Sequence, residues 1–462
     1  MAEAMEEIRQ ARPRRFRPYP EYRDSGVKWL GSVPATWGVD RLKHLAAVQL
    51  SSVDKKKEEG EAFVRLCNYV DVYYNEVIKP EIEFMEATAS SEEIRRFVLA
   101  EGDVLITKDS ESWDDIAVPA CVGPGIDGVV CGYHLAHIRP DQSRLLGNYL
   151  GRAFSAAGVR DQFRAAATGI TRFGLSKRWI DGASFPVPPV AEQRAIASFL
   201  DRETAKIDGL VAKKERLIGL VQEKRTALIT RAVTQGLDPN VPMRDSGVEW
   251  LGEIPAHWDM KCLWHLTPSR QRIMYGIVLP GPNVDEGVPI VKGGDVAAAR
   301  LKLDALSKTT FEIEAGYVRS RLKGGDLVYA IRGSIGEVEM VPDELEGANL
   351  TQDAARISYT EATHGRWLLF ALRSGAVFAQ LESGALGATI KGINIRDLKR
   401  ALIPVPPKSE QTKIAAFLDG ESSMFDELTA KVQDAIDRLR EFRTALISAA
   451  VTGKIDVREE TA

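Results

Sequence analysis

The sequence contains the same pattern twice, and this duplication limits the folds open to the chain. Residues 23–45 read RDSGVKWLGSVPATWGVDRLKHL, and residues 244–266, 221 positions later, read RDSGVEWLGEIPAHWDMKCLWHL. A second matched pair follows at an offset of 218, FPVPPVAEQRAIASFLD (185–201) and IPVPPKSEQTKIAAFLD (403–419). A period of about 220 residues is too long for a solenoid repeat. The chain is therefore predicted to be a tandem duplication with pseudo-two-fold symmetry.

The two copies match at their ends and differ in their middles. Residues 46–167 and 267–385 share little beyond EGDVLI (101–106) and GGDLVY (324–329). Short β-branched or aromatic runs, at 63–66, 104–107, 327–331 and 355–358, alternate with turn signals and predict strands. We expect loops at 71–74 and 123–128, and helices at 145–157 and 366–381. The middles are therefore predicted to be mixed α/β (α+β) domains that differ in what they bind.

Each copy ends in a helical pattern of about five heptads. A period near 3.5 with charges between the apolar positions is typical of a coiled-coil seam. Gly236 and Gly453 follow the last periodic residues, where a helix-ending glycine is expected. The simplest arrangement pairs the two helices within one chain, and the alternative pairs each with its equivalent in a homodimer. The predicted seam residues are Ile196, Leu200, Ile207, Leu210, Leu217, Val221 and Leu228 in the first helix, and Ile414, Leu418, Phe425, Leu428, Val432, Leu439, Phe442 and Leu446 in the second.

These patterns predict an ordered series of domains. The predicted boundaries are a basic N-terminal tail (1–22), a first variable domain (23–190), a first coiled-coil helix (191–236), a second variable domain (237–408), a second coiled-coil helix (409–453) and a C-terminal tail (454–462).

The charge of the chain is unevenly distributed. The formal net charge is −4, yet residues 139–178 carry +6 and residues 366–400 carry +4, so the remainder carries −14. Both basic stretches end in glycine-flanked loops, TGITRFGLSK (168–177) and GATIKGINIR (387–396). Backbone amides, hydroxyls and basic side chains are the groups that contact phosphate. A solvated charged helix followed by an ordinary loop would explain either stretch alone, but the recurrence in both copies favours binding of nucleic acid.

Motifs of catalysis, metal binding and membrane insertion are missing from the sequence. It has no phosphate-binding G-x-x-x-x-G-K-[ST] loop, no H-E-x-x-H, no G-x-S-x-G and no [N/D]-P-P-[Y/F/W]. Gly123–Gly128 formally matches G-x-G-x-x-G, but it contains a proline and no helical pattern follows. His134 and His137 lack nearby acidic or cysteine ligands. Four cysteines without a C-x-x-C pair, and no long apolar segment, favour a reducing cytoplasm and no membrane contact. We therefore predict no catalytic residue, no metal site and no cofactor.

The loop at 108–115, KDSESWDD, has a counterpart at 330–337, AIRGSIGE, that lacks paired carboxylates. A duplicated active site would keep its acids, whereas two readers of different base sequences would differ. Asn and Gln pair with adenine, Arg and Lys with guanine, and acids with cytosine. The candidate DNA-contacting residues are Lys108, Ser110, Glu111, Arg172 and Lys177 in the first copy, and Arg332, Ser334, Asn349, Gln352, Lys391 and Asn394 in the second.

With its doubled SG-x-x-W-L-G and PVPP-x-x-EQ segments and the helix ends RTALITRAVT (225–234) and RTALISAAVT (443–452), the chain resembles the specificity (S) subunits of type I restriction–modification enzymes. The resemblance covers nearly everything after residue 20. It implies two globular target recognition domains, separated by two long antiparallel helices that form a coiled coil. Each domain would read half of a bipartite, asymmetric sequence in double-stranded DNA.

The same resemblance implies partners. Two methyltransferase (M) subunits would dock on the coiled coil, and restriction (R) subunits would join them, so that the complex methylates adenine and cuts DNA. S-adenosylmethionine, ATP and Mg would be bound by those partners and not by this chain. The alternative hypothesis is a coiled-coil scaffold that binds only protein.

Overall fold

The computed structural model describes residues 16–248, 250–297, 300–383 and 392–460. The chain forms two compact units, unit 1 from residues 1–214 and 434–462, and unit 2 from residues 215–433. Each unit contains mixed helix and sheet, so the predicted fold class is confirmed. The candidate Lys391 and most of the N-terminal tail lie outside the described residues.

The strands of unit 1 are β1 (Tyr22–Asp24), β2 (Ser32–Pro34), β3 (Gly38–Arg41), β4 (Ala46–Leu50), β5 (Ala62–Cys67), β6 (Val77–Ile78), β7 (Met85–Ala89), β8 (Val104–Thr107), β9 (Asp109–Ser110), β10 (Pro119–Val122), β11 (Val129–Cys131), β12 (Leu135–Pro140), β13 (Phe173–Gly174) and β14 (Ser184–Val187). They form a five-stranded sheet in the order β4-β12-β8-β10-β6 and a three-stranded sheet in the order β11-β5-β7, besides smaller pairs. The short helices of unit 1 are α1 (Tyr69–Tyr73), α2 (Ser91–Phe97), α3 (Gly147–Phe154), α4 (Ala157–Ala166) and α5 (Lys177–Gly182).

The first long helix, α6 (Val190–Gln235), begins in unit 1 and ends in unit 2. The strands of unit 2 are β15 (Met243–Asp245), β16 (Glu253–Pro255), β17 (Asp259–Cys262), β18 (Met274–Tyr275), β19 (Val288–Val291), β20 (Ser307–Thr309), β21 (Leu327–Ala330), β22 (Val338–Met340), β23 (Asn349–Leu350), β24 (Ala354–Ile357) and β25 (Leu402–Val405). Its short helices are α7 (Phe311–Ala315), α8 (Gly365–Arg373), α9 (Gly375–Ser383) and α10 (Ile395–Arg400), and the second long helix is α11 (Lys408–Val451). The main sheet has the order β18-β24-β21-β22, beside a smaller sheet β20-β19-β23.

The two long helices run antiparallel. In unit 1, Ile196 and Leu200 near the start of α6 share a buried core with Leu446 and Ala450 near the end of α11. In unit 2 the relation is reversed, because the end of α6 shares a core with the start of α11. An ion pair joins the two helices in each unit, Arg443–Asp208 at 2.9 Å and Arg225–Asp426 at 2.7 Å.

At some turns of the long helices, the residue predicted to lie in the seam is exposed. Leu210, Leu217 and Leu428 are exposed, and so is Phe442. The less exposed positions are Val211, Ile218 and Thr429, one residue further along. Steps of three and of four residues both stay on one broad helix face, so periodicity alone does not choose between them. The other predicted seam residues, Ile196, Leu200, Ile207, Val221, Leu228, Ile414, Leu418, Phe425, Val432, Leu439 and Leu446, are buried or half-buried.

The duplicated PVPP-x-x-EQ segments hold the start of each long helix against its own unit. The side-chain amide of Gln193 donates to the Pro188 carbonyl at 2.8 Å and accepts from the Leu146 N–H at 2.8 Å. Gln411 repeats both bonds with Pro406 and His364, at 2.9 and 2.8 Å. Both glutamines are at most 2% exposed. A buried amide with both ends bonded fixes an orientation, which explains why these residues recur.

The arginine of each duplicated RDSG segment binds a tryptophan that lies beside the glycine ending a long helix. Arg23 donates to the Trp37 carbonyl, and Arg244 donates to the Trp258 carbonyl at 2.7 Å. A Cβ atom added at Gly236 would lie 3.2 Å from the ring of the buried Trp258. Gly236 has φ +79° and Gly453 has φ +70°, so the prediction that glycines end both helices is confirmed.

Two local predictions were wrong. Residues 71–74, expected as a loop, lie mostly in helix α1, where the Asp71 carboxylate accepts from the Asn68 N–H at 2.7 Å. The single helix expected at 366–381 is two helices, α8 and α9, because Ser374 between them is extended (φ −66°, ψ 145°). In the described part of the chain, no helix is long and apolar enough to span a bilayer.

The contrast between buried and exposed leucines in α11 can be tested. We expect Leu418→Ala to lower the free energy of unfolding by about 2–5 kcal/mol, because it leaves a cavity in the core of unit 2. Leu428→Ala is expected to cost less than about 0.5 kcal/mol, because that side chain is 42% exposed. Urea denaturation followed by circular dichroism measures both. Equal losses would contradict the observed seam.

Candidate nucleic-acid interface

The two loops singled out in the first copy lie side by side in unit 1. Strand β9 pairs antiparallel with β13, with Ser110 opposite Phe173 and Asp109 opposite Gly174. The Leu175 N–H also donates to the Lys108 carbonyl at 2.8 Å. The loop that follows β8 and the glycine-flanked loop before α5 therefore form one surface, although about 60 residues separate them in sequence.

A cluster of one acidic and three basic side chains lies on this surface. The Asp109 carboxylate accepts from Lys108 Nζ at 2.7 Å and lies 3.0 Å from His134 Nδ1. The same His134 nitrogen lies 3.5 Å from the Arg172 guanidinium. Lys108 Nζ also lies 4.5 Å from the centre of the Tyr133 ring, a cation–π contact. Asp109 thus holds Lys108 and His134 in place, and Arg172 next to them is exposed to solvent.

The electrostatics of Asp109 follow from these contacts. Burial alone would raise the pKa of the carboxyl, but hydrogen bonds from Lys108 and His134 lower it below its usual range. The ionised form is therefore the one that the cluster stabilises.

Unit 2 has the same backbone arrangement with different side chains. The Ile393 N–H donates to the Ile331 carbonyl at 2.8 Å, and Arg332 forms a bridge with Gly392. By these bonds Arg332 occupies the position that Asp109 occupies in unit 1. The Ile331 N–H donates to the Asp353 carbonyl as the Lys108 N–H donates to that of His134. Asp353 therefore occupies the position of His134, so an acid and a base have exchanged places between the copies.

Arg332 lines a groove of about 630 Å³ whose wall is rich in glycine. Lys292, Asp353 and Asn394 line it too, together with Gly293, Gly294, Gly333 and Gly392. A side chain at Gly293 would lie 2.3 Å from the Arg332 carbonyl, so only glycine fits there. Exposed backbone next to Arg and Lys is suited to phosphate or to a base edge.

The remaining candidate residues of unit 1 differ in exposure. Glu111, Arg172 and Lys177 are exposed, and Lys177 pairs with Asp181. Lys108 and Ser110 are 8% and 7% exposed, so they support the surface from beneath.

Among the candidates of unit 2, Arg332 and Asn394 are exposed, while Ser334 and Gln352 are half-buried. Asn394 uses its side-chain oxygen to cap α10, accepting from the Arg396 N–H at 2.8 Å. Asn349 is fully buried, and its amide bonds to Ser320, Glu314 and the Tyr317 carbonyl. Asn349 has no exposed surface with which to contact a base, so its prediction as a DNA contact is wrong.

Sequence reasoning missed Asp109, Tyr133 and His134 in unit 1, and Lys292 and Asp353 in unit 2. His134 and His137 were expected to be ordinary histidines, but their surroundings differ. His137 is buried and lies 2.7 Å from Asp103, whereas His134 belongs to the surface cluster. In the described part of the chain, no group of three or more potential ligands is placed to hold a metal ion. Tyr133 and His134 immediately precede β12, a strand that the sequence patterns did not predict, so no local signal marked them.

A protein-family model and several known proteins are similar to this chain. The family model for the type I restriction modification DNA specificity domain matches residues 283–438. The EcoBI specificity subunit of Escherichia coli is 25% identical over 303 residues, 64% of each chain and thus just under two thirds of that relative. The putative MjaX specificity subunit of Methanocaldococcus jannaschii is 21% identical over 93% of this chain and 96% of its own. The chain is therefore similar to the specificity subunits of type I restriction–modification systems.

Solved structures show the same fold. A chain from a study of the assembly and conformational transition of a type I restriction–modification system superposes with a TM-score of 0.62 at 18% identity, covering 91% of this chain and 98% of its own. The HsdS subunit from Thermoanaerobacter tengcongensis superposes with a TM-score of 0.52 at 17% identity, covering 94% and 100%. These two structures share the fold of this chain.

The Asp109 cluster makes unit 1 sensitive to acid. Because the folded pKa of Asp109 lies below its unfolded value of about 3.9, the ionised carboxylate stabilises the fold above that pH. This stabilisation is lost as the pH falls through the folded pKa. We expect Asp109→Asn to lower the Tm at pH 7 by about 2–4 °C, corresponding to about 1 kcal/mol, and the difference to shrink below about pH 4.

Thermal unfolding of the parent and the variant between pH 3 and pH 7 measures this dependence. The exposed Asp127→Asn is the matched control, for which no loss is expected. A difference between Asp109→Asn and the parent that stays constant across this range would refute the electrostatic role.

Proposed function

We propose that this chain is the sequence-reading subunit of a type I restriction–modification complex. Each unit would read one half of a bipartite, asymmetric target in double-stranded DNA. The observation that carries the proposal is that the two copies share the same backbone hydrogen bonds but differ in charge. Asp109 and His134 in one copy correspond to Arg332 and Asp353 in the other. Two copies that performed one reaction would keep the same charges, whereas two readers of different bases would not.

The chemistry of direct readout fits the exposed residues. An arginine contacts guanine with two hydrogen bonds in the major groove, and an acid accepts from the cytosine amino group. Arg332 is therefore proposed to read guanine in one half-site, with Ser334, Gln352 and Asn394 as neighbours. In unit 1, Arg172, Lys177 and Glu111 are proposed to contact DNA, with Lys108 and Ser110 as supports. Lys391, outside the described residues, remains a proposed contact.

The proposed partners supply the chemistry. Two methyltransferase subunits would bind S-adenosylmethionine and methylate adenine, and restriction subunits would bind ATP and Mg and cut DNA. The chain itself is proposed to be non-catalytic. Its role would be to place those partners on a chosen sequence, because affinity for the DNA backbone can be shared across the complex.

Exposed apolar side chains on the long helices support docking of two equivalent partners. Leu210 on α6 and Leu428 on α11 occupy matching positions of the duplicated pattern and are 47% and 42% exposed. Large exposed apolar patches mark sites of protein interaction, and Leu217 and Leu220 on α6 and Met424 on α11 are exposed as well. Since the positions are related by the duplication, the same surface of a methyltransferase subunit could bind at each.

Methylome sequencing tests the readout. A bipartite methylated motif should be present in cells with the gene and absent from cells without it. With Arg332→Ala, one half-site should relax at a G·C pair, because a bidentate contact contributes about 1–3 kcal/mol of discrimination. The other half-site should stay unchanged.

Arg172→Ala is the reciprocal variant and should alter only the other half-site. A methylated motif that is the same with and without the gene would refute sequence reading. It would favour the alternative, a coiled-coil scaffold that binds only protein.

Replacing the exposed leucines of the long helices by glutamate tests the docking of methyltransferase subunits. We expect Leu210→Glu and Leu428→Glu each to remove one methyltransferase subunit from the complex, because a charge would be buried at the interface. Native mass spectrometry of the chain with its methyltransferase partner counts the copies. Leu279→Glu, 80% exposed and away from the long helices, is the control. Two copies still bound in both variants would place the interface elsewhere.

A further inference from the structure

Unit 2 contains a second groove, of about 720 Å³, whose lining does not include Arg332. Its lining is strongly basic, although the chain as a whole has a net charge of −4. The only acidic side chain among its described lining residues is Glu346. The basic residues that line it are Arg270, Arg272, Arg319, Arg321, Lys323 and Arg356.

Most of this positive charge is not balanced locally. Arg321 is paired with Glu314 through two hydrogen bonds of 2.6 Å. Among the described residues, no ion pair is found for Arg270, Arg272 or Lys323, and all three are exposed. The groove therefore presents several unpaired cations on one concave surface.

Arg356 at the floor of the groove gives an independent indication of an anion. Arg356 is 6% exposed, and its Nη1 donates to the Arg321 carbonyl at 2.6 Å. Its Nε is buried without a hydrogen-bond partner among the described residues. Burial lowers the pKa of Arg356, and the charge of Asp326 only partly opposes this effect. A buried cation without a paired carboxylate is costly, and an anion in the groove would reduce that cost.

The first copy has no unpaired arginine at the position equivalent to Arg356. Strand pairing places His137 of β12 at the position of Arg356 in β24, because His137 lies opposite Leu105 and Arg356 opposite Val328. His137 is paired with Asp103 at 2.7 Å. The backbone fold that the two copies share therefore does not require an arginine at the position of Arg356.

We propose that this groove binds phosphate groups of the DNA backbone beside the half-site read by unit 2. The inference rests on the proposed function. Asp353, at the reading surface, immediately precedes β24, and Arg356 lies within that strand three residues later, about 10 Å at 3.3 Å per residue. Lysine and arginine are the usual contacts of the backbone and carry no base specificity.

Binding of the full chain to a random-sequence duplex, measured by fluorescence anisotropy from about 50 to 200 mM salt, tests the proposal. We expect Arg270→Ala/Arg272→Ala to weaken binding on the order of tenfold at the lowest salt. The slope of log K against log salt should fall by about 2, near 0.9 for each lost phosphate contact. The exposed pair Arg300→Ala/Lys302→Ala has the same spacing and lies outside the groove, so its slope should match that of the parent.

A second measurement separates DNA phosphate from free phosphate. If inorganic phosphate raises the Tm of the parent but not of Arg270→Ala/Arg272→Ala, while the salt slopes of the two are equal, the groove holds free phosphate and the proposal is overturned. Equal slopes without any phosphate effect also overturn it and would leave an acidic protein partner as the occupant.

The methylome distinguishes this proposal from the proposed function. Arg270→Ala/Arg272→Ala should leave the methylated motif unchanged, because backbone contacts do not read bases. Equal slopes with an intact bipartite motif would refute the groove alone. The absence of any bipartite motif in cells with the parent gene would instead refute the proposed function.

Discussion

The antiparallel pairing of the two long helices is the constraint on which the rest of the structure depends. The core of unit 1 needs Ile196 from α6 and Leu446 from α11, and the core of unit 2 needs Ile229 and Leu418 from the same two helices. Neither sequence repeat therefore contains all the residues of one core. Burial of apolar surface stabilises a core only when its members are present together, so the two copies complete each other.

The same frame also explains how one architecture carries two different surfaces. The buried glutamines Gln193 and Gln411 and the tryptophans Trp37 and Trp258 repeat their contacts in both copies. Asp103 and Asp326 likewise each accept a backbone N–H from three residues earlier. With the backbone held by these contacts, side chains at the strand ends are free to differ. Asp109 and Arg332 differ at one such position without disturbing the strands.

Much of the candidate surface lay within reach of sequence reasoning, although its internal arrangement did not. The loops at 108–115 and 168–177 were identified from charge and glycine content. Their pairing through β9 and β13 depends on contacts between residues about 60 positions apart, which no local pattern encodes. Asn349 was chosen because asparagine can read adenine, but burial among Ser320, Glu314 and Tyr317 decides its role.

The sequence alone determined the duplication, the two long helices with their terminal glycines, and the strands at 104–107 and 327–331, the second of which ends one residue earlier in the structure, at Ala330. Those features follow from repeated letters, helical periodicity and backbone preferences, all of which act locally. The tertiary structure decided which helix positions are buried, because Leu210 and Val211 are both compatible with the period and only packing separates them. It also decided that an acid and an arginine occupy one place in the two copies, since that equivalence is defined by hydrogen bonds between distant strands.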